Sequence, residues 1–148
     1  MITTGRKPLS AVEYQELAEF RYQIRRFLQF SEAIAKAEGL EPQHHQALLA
    51  LKGLPYGLEP TIGAVAERLF LRHQSAVGLV DRMERGGLVQ RVAAKADGRQ
   101  VLVKLTPHGE EVLAHLSLTH REELEETAPQ LSKALRAIIR RSAQGGLA

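Results

Sequence analysis

The sequence predicts a mainly α-helical chain interrupted by one small β-hairpin. Three observations lead there. Apolar residues recur every three or four positions through most of the 148 residues, the spacing of a single helix face. That spacing gives way to extended, β-branched stretches only between Leu88 and Leu105, on either side of Asp97-Gly98. A hydrophobic fraction of 44% suffices for a packed core in one domain of this length.

Each element has its own signals. Ser10 followed by Glu13 is a capping box that satisfies free N–H groups at a helix start. Leu17, Phe20, Ile24, Phe27, Leu28, Ser31 and Ile34 then continue one long amphipathic helix, with Gly39 as its stop. Pro42 suits the first position of a second helix through Gln43, Ala47, Leu48 and Leu51, ended by Gly53-Leu54-Pro55-Tyr56-Gly57 and Pro60. Thr61 caps a short third helix carrying Ile62, Val65, Ala66 and Leu69. After a break at Leu71–His73, Ala76, Leu79, Val80 and Met83 form the buried stripe of a fourth. Its opposite face then presents Gln74, Gly78, Asp81 and Arg85, flanked by Ser75, Val77 and Arg82. Gly86-Gly87 ends it. Residues 88–92 and 99–105 read as paired strands about a tight Asp97-Gly98 turn. Thr106-Pro107 restarts a helix to about Glu126; Thr127-Ala128-Pro129 interrupts it, and Leu131, Leu135, Ile138 and Ile139 mark a sixth helix before Gly145-Gly146. Two short helices, a turn and a following hairpin make a winged helix-turn-helix spanning 61–105.

That unit points toward DNA, because its second helix is the one that enters a major groove. Net charge is +3, and residues 61–105 concentrate it, with eight basic and four acidic groups. Arginine outnumbers lysine 14 to 6, and its planar fork suits phosphates and base edges. Gln74 pairs bidentately with adenine, Ser75 contacts several bases, and Val77 suits a thymine methyl. The chain has no asparagine, so Gln74 is the one amide on this helix for adenine readout. Gly78 permits close backbone approach; Arg72, His73, Arg82 and Arg85 are phosphate or register contacts, Arg85 equally a solvated arginine. Arg99 is placed for a narrow minor groove, and Thr61 serves as cap and possible phosphate contact.

The run AVGLVDRMERGGLVQR (Ala76 to Arg91) followed by ADGRQVLVKLTPHG (Ala96 to Gly109) resembles the MarR family of winged helix-turn-helix transcription regulators. There the recognition helix typically ends LVDRLE..GLV.R and the wing reads D.R...V.LT..G. The chain departs from that pattern at Arg72, where a serine often caps the helix, and at Gly78 and Gly98, where relatives often carry basic residues. The resemblance implies that Asp97 orients arginines by ion pairing, the alternative being a plain turn residue. It also implies a homodimer in which residues 10–38 and 106–143 interlock with a second copy, the alternative being an intramolecular helical core. The expected organisation is then a flexible tail at 1–9, a single domain at 10–143 and a second tail at 144–148. A dimer would place two recognition helices on successive major grooves of a near-palindromic double-stranded operator.

Family members commonly respond to small, often aromatic or phenolic effectors. Arg26, Phe27, Phe30 and His45 supply an aromatic wall with a cation for such a ligand, or else a core aromatic cluster. No metal or other cofactor is expected: His108 and His115 are seven apart rather than four, and there is no cysteine, which leaves zinc sensing as an alternative only. An enzyme is not expected either, since HExxH, GxSxG and phosphate-cradling glycine loops are missing and both aspartates lie in the motif region. No apolar run approaches a bilayer span and no signal segment is evident, so a soluble, cytoplasmic protein without a membrane partner is expected. The reading is a DNA-binding repressor released by its effector; a winged-helix module for protein–protein contact is the rival, because fold alone does not assign function.

Overall fold

The computed structural model describes residues 5–94 and 100–145. Its elements are α1 (Ala11–Ala37), α2 (Pro42–Lys52), α3 (Ile62–Leu69), α4 (His73–Arg85), β1 (Val89–Ala93), β2 (Val101–Leu105) and α5 (Pro107–Gly145). The chain divides into two compact units, one of residues 31–120 and one of residues 1–30 with 121–148. Both α1 and α5 contribute to each.

Residues 31–120 hold the main core. Leu48 of α2, Val65 of α3, Leu79, Val80 and Met83 of α4, Val89 and Val103 of the hairpin, and Leu116 of α5 are all essentially inaccessible to solvent. The four α4 positions predicted to form a stripe are all buried. The strands pair antiparallel with Val89 opposite Leu105 and Ala93 opposite Val101, and the Ala94 N–H donates to the Gln100 carbonyl at 3.0 Å. Among the described residues the second strand begins at Val101. The predicted Asp97-Gly98 turn lies outside the described residues. The Val103 N–H also donates to the Pro60 carbonyl at 2.7 Å, tying the segment before α3 to the hairpin.

Local chemistry sets the helix ends. At α1 the Ser10 N–H donates to Glu13 Oε2 at 2.6 Å and the Glu13 N–H to Ser10 Oγ at 3.3 Å, the reciprocal box expected from the sequence. That pairing with Ser10 holds the Glu13 carboxyl below its ordinary range. Gly39, at φ +75°, takes the left-handed conformation that ends a helix without a Cβ penalty. Thr106 Oγ1 accepts from the Gly109 N–H at 3.0 Å and donates to the Gly87 carbonyl, so one hydroxyl caps α5 and anchors the end of α4.

In the unit of residues 1–30 and 121–148, Arg141 forks onto Glu16 with Nε–Oε2 at 2.9 Å and Nη2–Oε1 at 2.8 Å, which lowers the Glu16 pKa through the hydrogen bonds from Arg141. Arg26 Nη1 donates to Gln130 Oε1 at 3.3 Å.

One expectation fails here. Residues 107–145 form a single helix with Pro129 inside it, rather than two helices broken at Thr127-Ala128-Pro129. An internal proline costs about 3 kcal/mol because it lacks an N–H for the carbonyl four residues back. Its fixed φ is nevertheless helical, and Leu124 and Leu131, seven residues apart, keep the apolar register in phase across it. Thr127 Oγ1 donates back to the Glu123 carbonyl at 2.9 Å instead of capping a new start.

Candidate nucleic-acid interface

The site is built on α3, the turn after it and α4. Thr61 sits at the N-cap of α3 in extended conformation, its Oγ1 accepting from the Ala64 N–H at 3.1 Å. The turn closes through the Leu71 N–H to the Ala66 carbonyl at 2.8 Å, with Phe70 left-handed at φ 53° and almost wholly exposed. A non-glycine residue in that region is strained, and this one gains no burial in return. Sequence reasoning missed Phe70, because φ is not a property of residue type for phenylalanine.

Along α4 the buried Ala76, Leu79, Val80 and Met83 turn the other face outward. Arg72, His73, Gln74 and Ser75 are exposed at its start, Asp81, Arg82 and Arg85 further along, while Val77 and Gly78 are half-buried at its margin. Arg72 is the N-cap residue but its side chain makes no cap hydrogen bond. A Cβ placed on Gly78 would lie 3.4 Å from Arg82 Nη1, so the Arg82 guanidinium folds back along the helix over the space glycine leaves open. Gln74, Ser75, Arg82 and Arg85 of the predicted contacts thus stand exposed, with Val77 and Gly78 at the edge of the buried stripe. Asp97 and Arg99, the two wing residues of the expected interface, lie outside the described residues.

A group not expected from the sequence completes the site. Arg91 of β1 extends across to α4, with Nη2 at 2.5 Å from Asp81 Oδ1 and Nη1 at 2.9 Å from Glu84 Oε1. Its backbone N–H donates to Glu84 Oε2 at 2.9 Å. Partial burial lowers the Arg91 pKa, but the hydrogen bonds to Asp81 and Glu84 outweigh it and raise the pKa overall. The fork is legible in retrospect as two acids three residues apart before the glycine pair, with an arginine after it.

The expected effector residues fall in different units. Arg26, Phe27 and Phe30 belong to residues 1–30, where Arg26 lies 5.9 Å from the Tyr22 ring centroid. His45 belongs to residues 31–120, buried and stacked on His120 with centroids 4.5 Å apart. His120 Nδ1 donates to the Leu116 carbonyl at 2.6 Å, so in the neutral ring Nε2 accepts from Ser31 Oγ at 2.7 Å. Burial, with a smaller contribution from His120, pushes the His45 pKa down to about 4. A groove of about 410 Å³ in the unit of residues 1–30 and 121–148 is lined by Val12, Gln15, Gln23, Lys133, Ala134 and Ala137 among others, and by none of the four expected residues. His115 Nε2 meets Glu38 Oε1 at 3.3 Å, yet among the described residues no three His, Asp or Glu side chains converge as metal ligands. Nor is any helix among them long and apolar enough to cross a membrane.

This geometry has counterparts among known proteins. The profile of the MarR family matches residues 38–100. An uncharacterised HTH-type transcriptional regulator of Bacillus subtilis, YsmB, is 31% identical over 105 residues, covering 68% of this chain and 71% of the relative. Among solved structures, AbsC of Streptomyces coelicolor, a MarR family transcriptional regulator, superposes with a TM-score of 0.70 at 20% identity, over 94% of this chain and 99% of the other. A mutant of S. aureus MepR bound to an oligodeoxyribonucleotide superposes with a TM-score of 0.60 at 20% identity, over 90% and 95%. A mainly helical chain with one antiparallel hairpin, a capped helix-turn-helix and this sequence kinship belongs to the MarR family of DNA-binding transcription regulators.

Proposed function

We propose that the chain acts as a homodimeric repressor that reads a near-palindromic operator and leaves it when a small molecule binds. The observation that carries the reading is the outer side of α4, where Gln74, Ser75, Arg82 and Arg85 stand exposed opposite a fully buried apolar stripe. Gln74 and Ser75 read base edges, Val77 meets a thymine methyl, Gly78 permits close backbone approach, and Arg72, His73 and Arg82 hold phosphates, with Thr61 at the start of α3 and Asp97 and Arg99 in the wing.

Self-association is supported by apolar groups that their own unit leaves in solvent. Tyr14, Leu17, Tyr22 and Leu28 on α1, and Leu135 and Ile139 on α5, are all exposed. Burying them against a second copy removes apolar area from water and gives a dimer whose two α4 helices are related by a two-fold axis, as an operator with inverted half-sites requires. For the effector, Arg26 with Phe27 and Phe30 offers a cation beside aromatic rings, suited to an aromatic carboxylate.

Enrichment of duplexes from a random-sequence pool tests the reading. The expected result is a family of inverted repeats with half-sites about ten base pairs apart, and a Gln74→Ala chain that binds them with relaxed preference at one position. Enrichment of no sequence, with the chain capturing proteins alone, favours the interaction-module alternative.

A further inference from the structure

The face of α4 that presents Gln74 and Gly78 continues into Asp81, and Glu84 follows three residues later. Both carboxylates stand in solvent, with side-chain exposures of 50% and 41%. DNA presents one negative charge for roughly every 1.7 Å of its axis, so acids beside a groove-facing surface oppose binding. Arg91 is positioned against this. Each of its two terminal amino groups donates to one of these carboxylates, Nη2 to Asp81 and Nη1 to Glu84, and its side chain is only 26% exposed. It reaches them from β1, whose register with β2 places it opposite Val103. A guanidinium committed in this way is turned toward the α4 carboxylates, and its charge is directed at them before it is directed at a phosphate. Surface ion pairs add little to folding stability, which leaves the charge balance of the interface as the consequence with weight.

We propose that Arg91 acts on DNA binding without touching DNA, as a positioning residue that neutralises the acidic end of the recognition face and keeps Asp81 and Glu84 folded toward the protein. The proposal rests on the DNA-binding reading of α4 and deepens it. It assigns Arg91 a different part from Arg72 and Arg82, whose guanidinium groups meet phosphates.

The test is a cycle of variants in the full-length chain, with affinity measured for a duplex that wild type enriches from a random pool. Arg91→Gln is expected to weaken binding on the order of tenfold, because it leaves two uncovered carboxylates facing phosphates. Asp81→Asn with Glu84→Gln breaks the same bridges, yet is expected to bind at least as tightly as wild type. Adding Arg91→Gln to that pair is expected to change affinity by less than about twofold, there being no acid left to cover. Melting temperatures establish that each variant is folded. If Arg91→Gln alone does not fold, the Asp81→Asn, Glu84→Gln pair still decides, since a purely architectural bridge predicts that it loses affinity. Equal losses from Arg91→Gln in both backgrounds identify a direct phosphate contact and overturn the proposal, as does no loss in either. A wild-type chain that binds no duplex at any salt overturns the DNA reading together with the proposal; binding with uncoupled losses overturns the proposal alone.

Discussion

Gly109 packs its backbone against the Leu88 carbonyl, and replacing it with alanine tests how α5 is locked to the segment between α4 and β1. An added Cβ overlaps the Leu88 carbonyl oxygen and lies 3.0 Å from its carbonyl carbon. Neither side can retreat freely. The same oxygen accepts from the Thr106 N–H at 3.0 Å, and the Gly109 N–H is held by Thr106 Oγ1, also at 3.0 Å. Forcing a methyl group into a packed site costs about 1–3 kcal/mol, and leaving the Leu88 acceptor unpaired costs a further 1–3 kcal/mol or so. The better helix propensity of alanine returns about 1 kcal/mol, for a net destabilisation of about 3 kcal/mol. Urea unfolding reads this out, with protein concentration held fixed so that the comparison does not depend on the state of association. Gly78→Ala is the matched control. Its Cβ meets only the end of the flexible Arg82 side chain, so it is expected to leave stability unchanged or raise it by about 0.5–1 kcal/mol. Equal stability of Gly109→Ala and wild type, or equal losses in both variants, would refute the reasoning.

Three further outcomes follow from the same structure. His45 has a folded pKa of about 4 against an ordinary 6.5, so the unfolded chain binds more protons between those values and stability rises with pH there. That contribution is complete above pH 6.5 and is lost as pH falls toward 4; by pH 5 wild type should have lost about 2 kcal/mol more than His45→Phe, measured by urea midpoints at both pH values. Thr61→Ala removes the acceptor for the Ala64 N–H and is expected to cost about 1 kcal/mol in the same assay, Thr61→Ser restoring most of it. Ile139→Glu places a charge on an exposed apolar position of α5; sedimentation is expected to shift from twice the 16.4 kDa chain mass to a single one, and an unchanged mass counts against α5 as a dimer surface.

The parts of the molecule that the sequence made legible are those decided within a few residues. The Ser10–Glu13 box, the Thr61 and Thr106 caps, Pro42 at the start of α2 and the buried stripe of α4 all depend on spacing along one element, and all are in place. The misreading at Pro129 came from giving a local breaker more weight than an apolar register that runs through it unbroken. Contacts set by tertiary register were hidden. Arg91 reaches Asp81 and Glu84 only because the hairpin folds back beside α4, and His45 meets His120 only because α2 packs on α5. Both residues were visible as residues, but their partners were not. The strained turn at Phe70 was hidden for another reason, since sterics penalise that backbone and no residue-type rule selects it.

The central claim is that the outer side of α4 binds double-stranded DNA through arginines on phosphates and Gln74 on bases. Affinity for an enriched duplex measured across 50–200 mM salt, for wild type and for Arg82→Ala, addresses it directly. The account predicts that log affinity falls steeply and linearly with log salt, by about 0.9 for each phosphate neutralised, and that Arg82→Ala is weaker with a slope shallower by about one phosphate. A flat salt dependence, or an Arg82→Ala chain with unchanged affinity and slope, would contradict it.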